Sequence, residues 1–381
     1  MATRPTITVG YKNPSSGSPS TITVPIQRVS WNVGRRNLTD NWTSSIATIF
    51  GRNPDTLFGT AGTGGPQIND VVRIAVSDGG SEFAYFYGSI QDVRILYGFS
   101  TNYDTWEITV QGRYGSTGRN DQSFTTTAGD STSSLALAIR TAQTSSEVYV
   151  SSGWGSFTSA QTLTGQVTNT VNTLMATEQG AVREYGQLIS GGPNFDAYMG
   201  LYGRNSTELY GLGSNVLSDT SATVMGVTPK KYDAIEFLSK AQNYGSKVVV
   251  QATGLADQSS GTGRFVQTIQ TINNTTSQAA DLAAYVKNQL DQSAKVPYTV
   301  RFKGSNNTAS CVGLADQNQV KAAAVVVFRG VQHECVIEGL QFDATPEDWT
   351  CNWVLSGQDQ NAYLRLDDPI FGTLDYNRLG F

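Results

Sequence analysis

The sequence predicts an α+β protein that is mainly β, with two small β-barrel modules bracketing a mixed α/β middle. Three observations lead there. Hydrophobic residues make up 39% of the 381-residue chain and charged residues 15%, while glycine occupies 39 positions; this mixture suits a loop-rich sheet protein more than a helical enzyme. Apolar residues alternate at period two near both ends, and the helical period is confined to the middle. The length also exceeds one ordinary core. Four regions are expected: a β-barrel domain over 1–128, a mixed α/β domain over 129–230, a helix-containing α/β segment over 231–298, and a second β-barrel domain over 299–381.

In the first region Ile7 and Val9, then Ile22 and Val24, alternate with threonine, and the intervening NPSSGSPS is turn chemistry. VVRIAVSDGGSEFAYFYGSI reads as two strands joined by a turn at Asp78-Gly79-Gly80, with Phe83, Tyr85 and Tyr87 sharing a face. TWEITVQG should place Trp106, Ile108 and Val110 inward and Glu107, Thr109 and Gln111 outward. In the middle, serines before Leu135, Ala138 and Ile139 predict a short capped helix. Val167, Val171, Leu174 and Met175 predict another, ended by Gly180, with strand-like pieces following through FDAYMGLYGR. PKKYDAIEFLSKAQN, with Tyr232, Ile235, Phe237 and Leu238, is read as a further helix, and SQAADLAAYVKNQLDQS as the clearest one. After Pro297 the runs QVKAAAVVVFRG, HECVIEGLQF and DWTCNWVLSG return to β.

A faint repeat links the ends. Gly88 leads Asp92 by four residues before Trp106 and a closing Gly112; Gly339 leads Asp343 likewise before Trp349 and Gly357. Trp106 and Trp349 are therefore expected to anchor the two β modules. The last eighteen residues, LRLDDPIFGTLDYNRLGF, carry unusual apolar weight. Phe371, Leu374, Leu379 and Phe381 are expected to form a clasp on the C-terminal module or across a subunit boundary.

The residue types offer little chemistry. No catalytic residue, cofactor or metal site is expected. The only histidine, His333, lies beside Glu334 and Cys335 in a β run; neighbours along a strand point to opposite faces, which argues against a Cys-His pair. The acid pairs Glu347-Asp348 and Asp367-Asp368 border prolines, so turn roles are expected. GTAGTGGP lacks the ending of a phosphate cradle. Cys311, Cys335 and Cys351 have no paired spacing and are expected to be small buried hydrophobes in a reducing compartment. The net charge of −5 carries no basic stripe, which argues against sequence-reading nucleic-acid binding but suits a lumen through which DNA slides. No signal peptide or membrane span is read, so assembly in the cytoplasm and no stable membrane anchor are expected.

Four stretches, in order, resemble the minor tail or baseplate hub (tail-tip) proteins of long-tailed bacteriophages: INDVVRIAV with FAYFYGSIQDV, LMATEQGAVREYGQLISGGPNFDAYMGLYGR, HECVIEGLQFDATPEDWTCNWVLSG, and LRLDDPIFGTLDYNRLGF. The resemblance runs from about Ile68 to Phe381. It implies a hub-like, non-enzymatic virion protein at the tail tip, a homotrimer with two barrels per chain. Implied partners are the distal tail protein ring, a tail fibre or tip protein and the tape measure protein, with DNA only passing through the lumen. The competing readings are a tail-tip receptor-binding adhesin, suggested by 17 tyrosines and 6 tryptophans, and a cell-wall hydrolase.

Overall fold

The alternation read in the end regions becomes strands that pack one face inward. The computed structural model describes residues 4–14, 18–59, 64–99, 103–117, 123–125, 127–143, 147–155, 157–159, 164–188, 194–206, 215–238 and 247–357. The N-terminal part comprises β1 (Thr6–Lys12), β2 (Ser20–Thr21), β3 (Ile26–Gly34), β4 (Ile46–Arg52), α1 (Pro54–Phe58), β5 (Val71–Ser77), β6 (Phe83–Leu96), β7 (Thr105–Gln111) and α2 (Arg113–Thr117). The middle holds β8 (Ser123–Thr125), α3 (Thr132–Ala142), β9 (Val148–Val150), β10 (Thr164–Gln166), α4 (Val167–Glu178), β11 (Ala181–Leu188) and β12 (Phe195–Tyr202). Next come β13 (Val216–Ser218), β14 (Lys230–Lys231), β15 (Ala234–Glu236), β16 (Lys247–Ala252), β17 (Gln258–Ser260), β18 (Val266–Thr271) and α5 (Thr276–Ser293). The C-terminal part comprises β19 (Thr299–Lys303), β20 (Ala323–Phe328), β21 (Val331–Ala344) and β22 (Trp349–Gly357).

Most expected elements are present. β7 buries Trp106, Ile108 and Val110 in strict alternation. Ser131 caps α3 by accepting from the Ser134 amide, and Thr275 caps α5 from the Gln278 amide. Two expectations are corrected. PKKYDAIEFL is no helix: β14 and β15 form there, because β15 finds a partner in β19, with Ala234, Ile235 and Glu236 opposite Arg301, Val300 and Thr299. Ladder pairing outweighs a short apolar stripe whose 3.6 period was marginal. The end of α4 is also shifted, since Gln179 rather than Gly180 takes the left-handed conformation (φ 53°).

The two ends share one 14-stranded sheet, and no ring of strands closes among the described residues. Mainly β is thus correct, while the joined sheet differs from two separate modules. The reason is non-local: β3 pairs antiparallel with β21, with Trp31 opposite Phe342 and Gly34 opposite Gly339.

Within that sheet the order β1-β5-β6-β7-β4-β3 is repeated as β13-β20-β21-β22-β19-β15. Both halves are built around a 14-residue strand, β6 or β21, and each of these strands carries a bulge against its β7 or β22 partner. The sequence repeat therefore marked the right strands in the wrong register. Ile95 faces Trp106 and Ala344 faces Trp349, so Ser89 and Arg94 occupy the places of Gly339 and Asp343. The second half draws β13 and β15 from the middle of the chain, with β16, β17, β18 and α5 inserted as a unit that has its own apolar cluster.

Candidate assembly site

The features that stand out are structural: two tryptophan anchors, the seam between the repeats, and three buried glutamates. Trp106 and Trp349 are each 1% exposed. Trp106 lies across from Gly51, and a Cβ there would collide with the indole. Trp349 fills the equivalent space over Gly304, at 2.5 Å from a Cβ built there. The two tryptophans therefore occupy corresponding positions, one against Gly51 on β4 and the other against Gly304, which directly follows β19. They differ in one respect: Trp106 Nε1 donates to the Arg52 carbonyl at 2.9 Å, whereas Trp349 Nε1 is buried without a partner among the described residues. Phe371, Leu374, Leu379 and Phe381 lie outside the described residues.

At the seam Trp31 stacks on Phe342 with ring centroids 4.1 Å apart. Gly34 turns the chain out of β3 at φ 83°, where a Cβ would strike the Glu338 carbonyl. Beneath it, Glu338 accepts from Arg35 Nε at 2.8 Å, Lys321 Nζ at 2.6 Å and Ser356 Oγ at 2.6 Å. Burial alone would raise the Glu338 carboxyl, but Arg35 and Lys321 outweigh it and hold it at about 2. Burial pulls the Lys321 amine down to about 8 against the pull of Glu338, with Arg35 adding to the lowering. The carboxylate thus joins the Arg35 that follows β3 to the Lys321 that precedes β20.

Two further glutamates fasten the middle region. Glu178, at the end of α4, accepts from the Gly155 amide at 2.5 Å and Thr132 Oγ1 at 3.0 Å. Glu184, on β11, accepts from the Ser45 and Tyr114 amides, both at 2.6 Å, and so ties the three-stranded β11-β12-β9 sheet to the N-terminal repeat. Burial pushes both carboxyls upward, while the donated hydrogen bonds draw them back. All three lie in stretches that carried the family resemblance, but Glu184 and Glu338 sit inside β runs, where no residue pattern separates them from outward-facing acids.

Among the described residues no reactive constellation emerges. His333 and Cys335 are two residues apart and share a face, contrary to the divergence expected. Yet Cys335 Sγ lies 3.6 Å from the His333 carbonyl, and the imidazole packs edge-on against Phe237. Burial pushes all three cysteine thiols up, Cys311 to about 12, which disfavours nucleophilic thiolates. Asp348 accepts from the Ser305 and Trp349 amides, a turn role, and Asp367-Asp368 lies outside the described residues. A polar groove between β1, β6 and β12 contains Lys12 and Arg113, but these pair with Asp196 and Glu147. Among the described residues no His, Cys, Asp and Glu group could hold a metal ion, and no helix is long and apolar enough to cross a membrane.

No family model matches the chain, and no curated protein matches it by sequence. Solved structures match it by fold: phage tail proteins and a secretion-system component share this architecture. A tail protein from Neisseria meningitidis MC58 is similar over 93% of this chain and 97% of its own, with TM-score 0.58 and 10% identity. A 43 kDa tail protein of prophage MuSo2 from Shewanella oneidensis covers 91% and 97%, with TM-score 0.51 and 12% identity. An Escherichia coli component of the type VI secretion system, described as structurally similar to the T4 tail proteins gp27 and gp5, covers 92% and 76%, with TM-score 0.50 and 9% identity. The fold that the resemblance implied is shared with these tail proteins, while the last of the four stretches lies outside the described residues.

Proposed function

We propose that this chain is a structural hub of a phage tail tip or baseplate, closing the distal end of the tail tube. It would connect the distal tail ring above to a central fibre or tip below. The observation that carries this reading is the internal repeat of six strands. Three copies of a two-module chain present six near-equivalent units, which reconciles a sixfold tube with a threefold tip. In this reading residues 1–128 supply one barrel module of a homotrimer and residues 299–381, joined by β13 and β15, supply the other, while the rest of 129–298 buttresses them. Fold likeness to tail proteins supports it, as does the structural use made of the buried acids and thiols. The tape measure protein is a candidate contact at the lumen, and DNA would only pass through.

Imaging of particles labelled on this subunit tests the proposal. Three labels at the distal tip are expected, and labels along the tube or on the capsid would refute it. Deleting residues 364–381 is expected to stop assembly, because Phe371, Leu374, Leu379 and Phe381 form the proposed clasp; a truncated chain that assembles normally rejects the clasp alone. A second reading, as an adhesin, is favoured by the exposed ring pair Phe99 and Tyr103, with centroids 4.6 Å apart beside Tyr97. Binding of the isolated protein to host cells would favour that reading. Zymography on peptidoglycan is expected to show no clearing.

A further inference from the structure

We propose that residues 362–366 of the C-terminal segment fold back onto their own chain and cover an apolar patch at the open end of β20 and β21, made by Phe237, Phe328 and Val331. The patch is where an inward face outruns its core. Directly opposed ladder partners share a face, so Cys335 with Ala324, His333 with Val326 and Val331 with Phe328 all point to one side of the sheet. Burial fades along that row. Cys335, Ala324 and Val326 are buried, Phe328 and His333 are half-buried, and Val331 is 57% exposed. Phe237, which follows β15, packs against Phe328 and His333 with ring centroids 5.3 and 5.5 Å away, yet is itself 47% exposed. A row of large apolar groups that begins in the core and ends in solvent marks an interaction surface.

The chain itself supplies the occupant. β22 ends at Gly357, opposite Cys335, at the margin of the patch. Val331 lies four residues further along β21, about 13 Å away. Residues 358–361, Gln-Asp-Gln-Asn, are polar and span about 13–14 Å when extended. The first stretch able to pass over the patch is therefore also the first apolar one, AYLRL, in which Ala362, Leu364 and Leu366 alternate with Tyr363 and Arg365. Residues 239–246 also adjoin Phe237 in sequence, but SKAQNYGS offers only Ala241 and Tyr244.

Charge agrees with this. The Arg329 guanidinium lies 5.0 Å from the Phe328 ring, at the rim of the patch, and Asp367-Asp368 come directly after Leu366. Leu364 and Leu366 thus meet Phe237 and Val331 while the two carboxylates arrive beside Arg329. Seated this way, the segment closes the inward face that β20 and β21 leave open. Phe371, Leu374, Leu379 and Phe381 of the proposed clasp then start from a fixed point beside this hairpin. The seat is made within one chain and does not rest on the hub reading.

Disulfide trapping tests it. Val331→Cys is combined in the full chain with Leu364→Cys or, separately, with Arg365→Cys. Oxidation is followed by mass and by migration under denaturing conditions; the three native cysteines are buried. Positions 364 and 365 have nearly the same tether to Gly357, so a wandering segment would bond equally well through either. A segment seated by its Leu364 face should bond within one chain at least about fivefold faster through Leu364→Cys, since neighbours along an extended segment point opposite ways. Hydroxyl-radical labelling gives a readout without new thiols: Phe237 should oxidise roughly threefold faster in a Leu364→Ser/Leu366→Ser chain than in the unaltered one. Equal bonding rates at 364 and 365 would overturn the seat. Bonds that form only between chains would do the same and assign the patch to a second copy. Phe237 labelling that ignores both serines would also count against it decisively. Particle labelling judges the hub independently, so failure of the seat leaves that reading standing.

Discussion

Single residues decide how each half of the sheet is pinned. Trp106→Ala and Trp349→Ala should each cost about 3–5 kcal/mol, measured by urea unfolding. The phenylalanine substitutions separate the two sites. Trp106→Phe strands the Arg52 carbonyl, which now accepts the indole N–H, and should cost about 1–3 kcal/mol more than its packing loss. Trp349→Phe should be the milder change, because its Nε1 has no hydrogen-bond partner among the described residues. Glu338 sets an acid dependence. Its folded carboxyl is held at about 2 against an ordinary 4.5, so between these values the unfolded chain binds the extra proton and stability rises with pH. Its contribution is complete above about pH 4.5 and lost as pH falls through about 2. Glu338→Gln leaves Arg35 and Lys321 without a counter-charge in the core and should cost about 3–5 kcal/mol near neutrality. Denaturation midpoints at several pH values should show that gap narrowing below pH 4.5.

At the scale of elements, legibility followed locality. Helices α3 and α5 could be read because cap, stripe and length agree within one segment: Ser131 and Thr275 cap, and Leu135, Ile139, Leu282 and Val286 are buried. Thr275→Ala should lower stability by about 1 kcal/mol in thermal unfolding, and a serine there should restore it. The helix expected around Ile235 failed because its residues join β19, some sixty positions later, and nothing local announces that partner. The turn between β20 and β21 makes the converse point. Arg329 and Gly330 both take positive φ (51° and 79°), the geometry of a tight two-residue hairpin. Arg-Gly is weak turn chemistry beside Asn-Gly, so the fold imposes what the dipeptide does not advertise.

For the molecule as a whole, the seam is the decisive feature. β3 and β21 come from opposite ends of the chain, and their pairing makes one sheet of two repeats. Gly34→Ala would place a methyl against the Glu338 carbonyl in a backbone conformation that alanine resists. It should loosen the repeats from each other: limited proteolysis would then cut between β3 and β4, and scattering would report a larger radius, while each repeat keeps its strand signature by circular dichroism. An unchanged digestion pattern would show that the seam is not held at this glycine. The same non-local pairing explains why the sequence repeat was visible only as a shifted motif. Equivalence here is defined by which residue each one faces across the ladder, where Arg94 and not Asp92 stands in the place of Asp343, and a glycine–aspartate spacing does not report that.

The amino-acid order by itself determined the mainly β character, the inward faces of β7 and β22, two capped helices, the buried tryptophans and the poverty of reactive groups. Each depends on periods and residue types within one segment. Tertiary structure alone decided that the two ends merge into a single sheet, that Ile235 lies in a strand, and that Glu178, Glu184 and Glu338 turn inward. Those outcomes depend on partners far away in the chain, and a pattern of alternation says which face is apolar but not which strand will lie beside it.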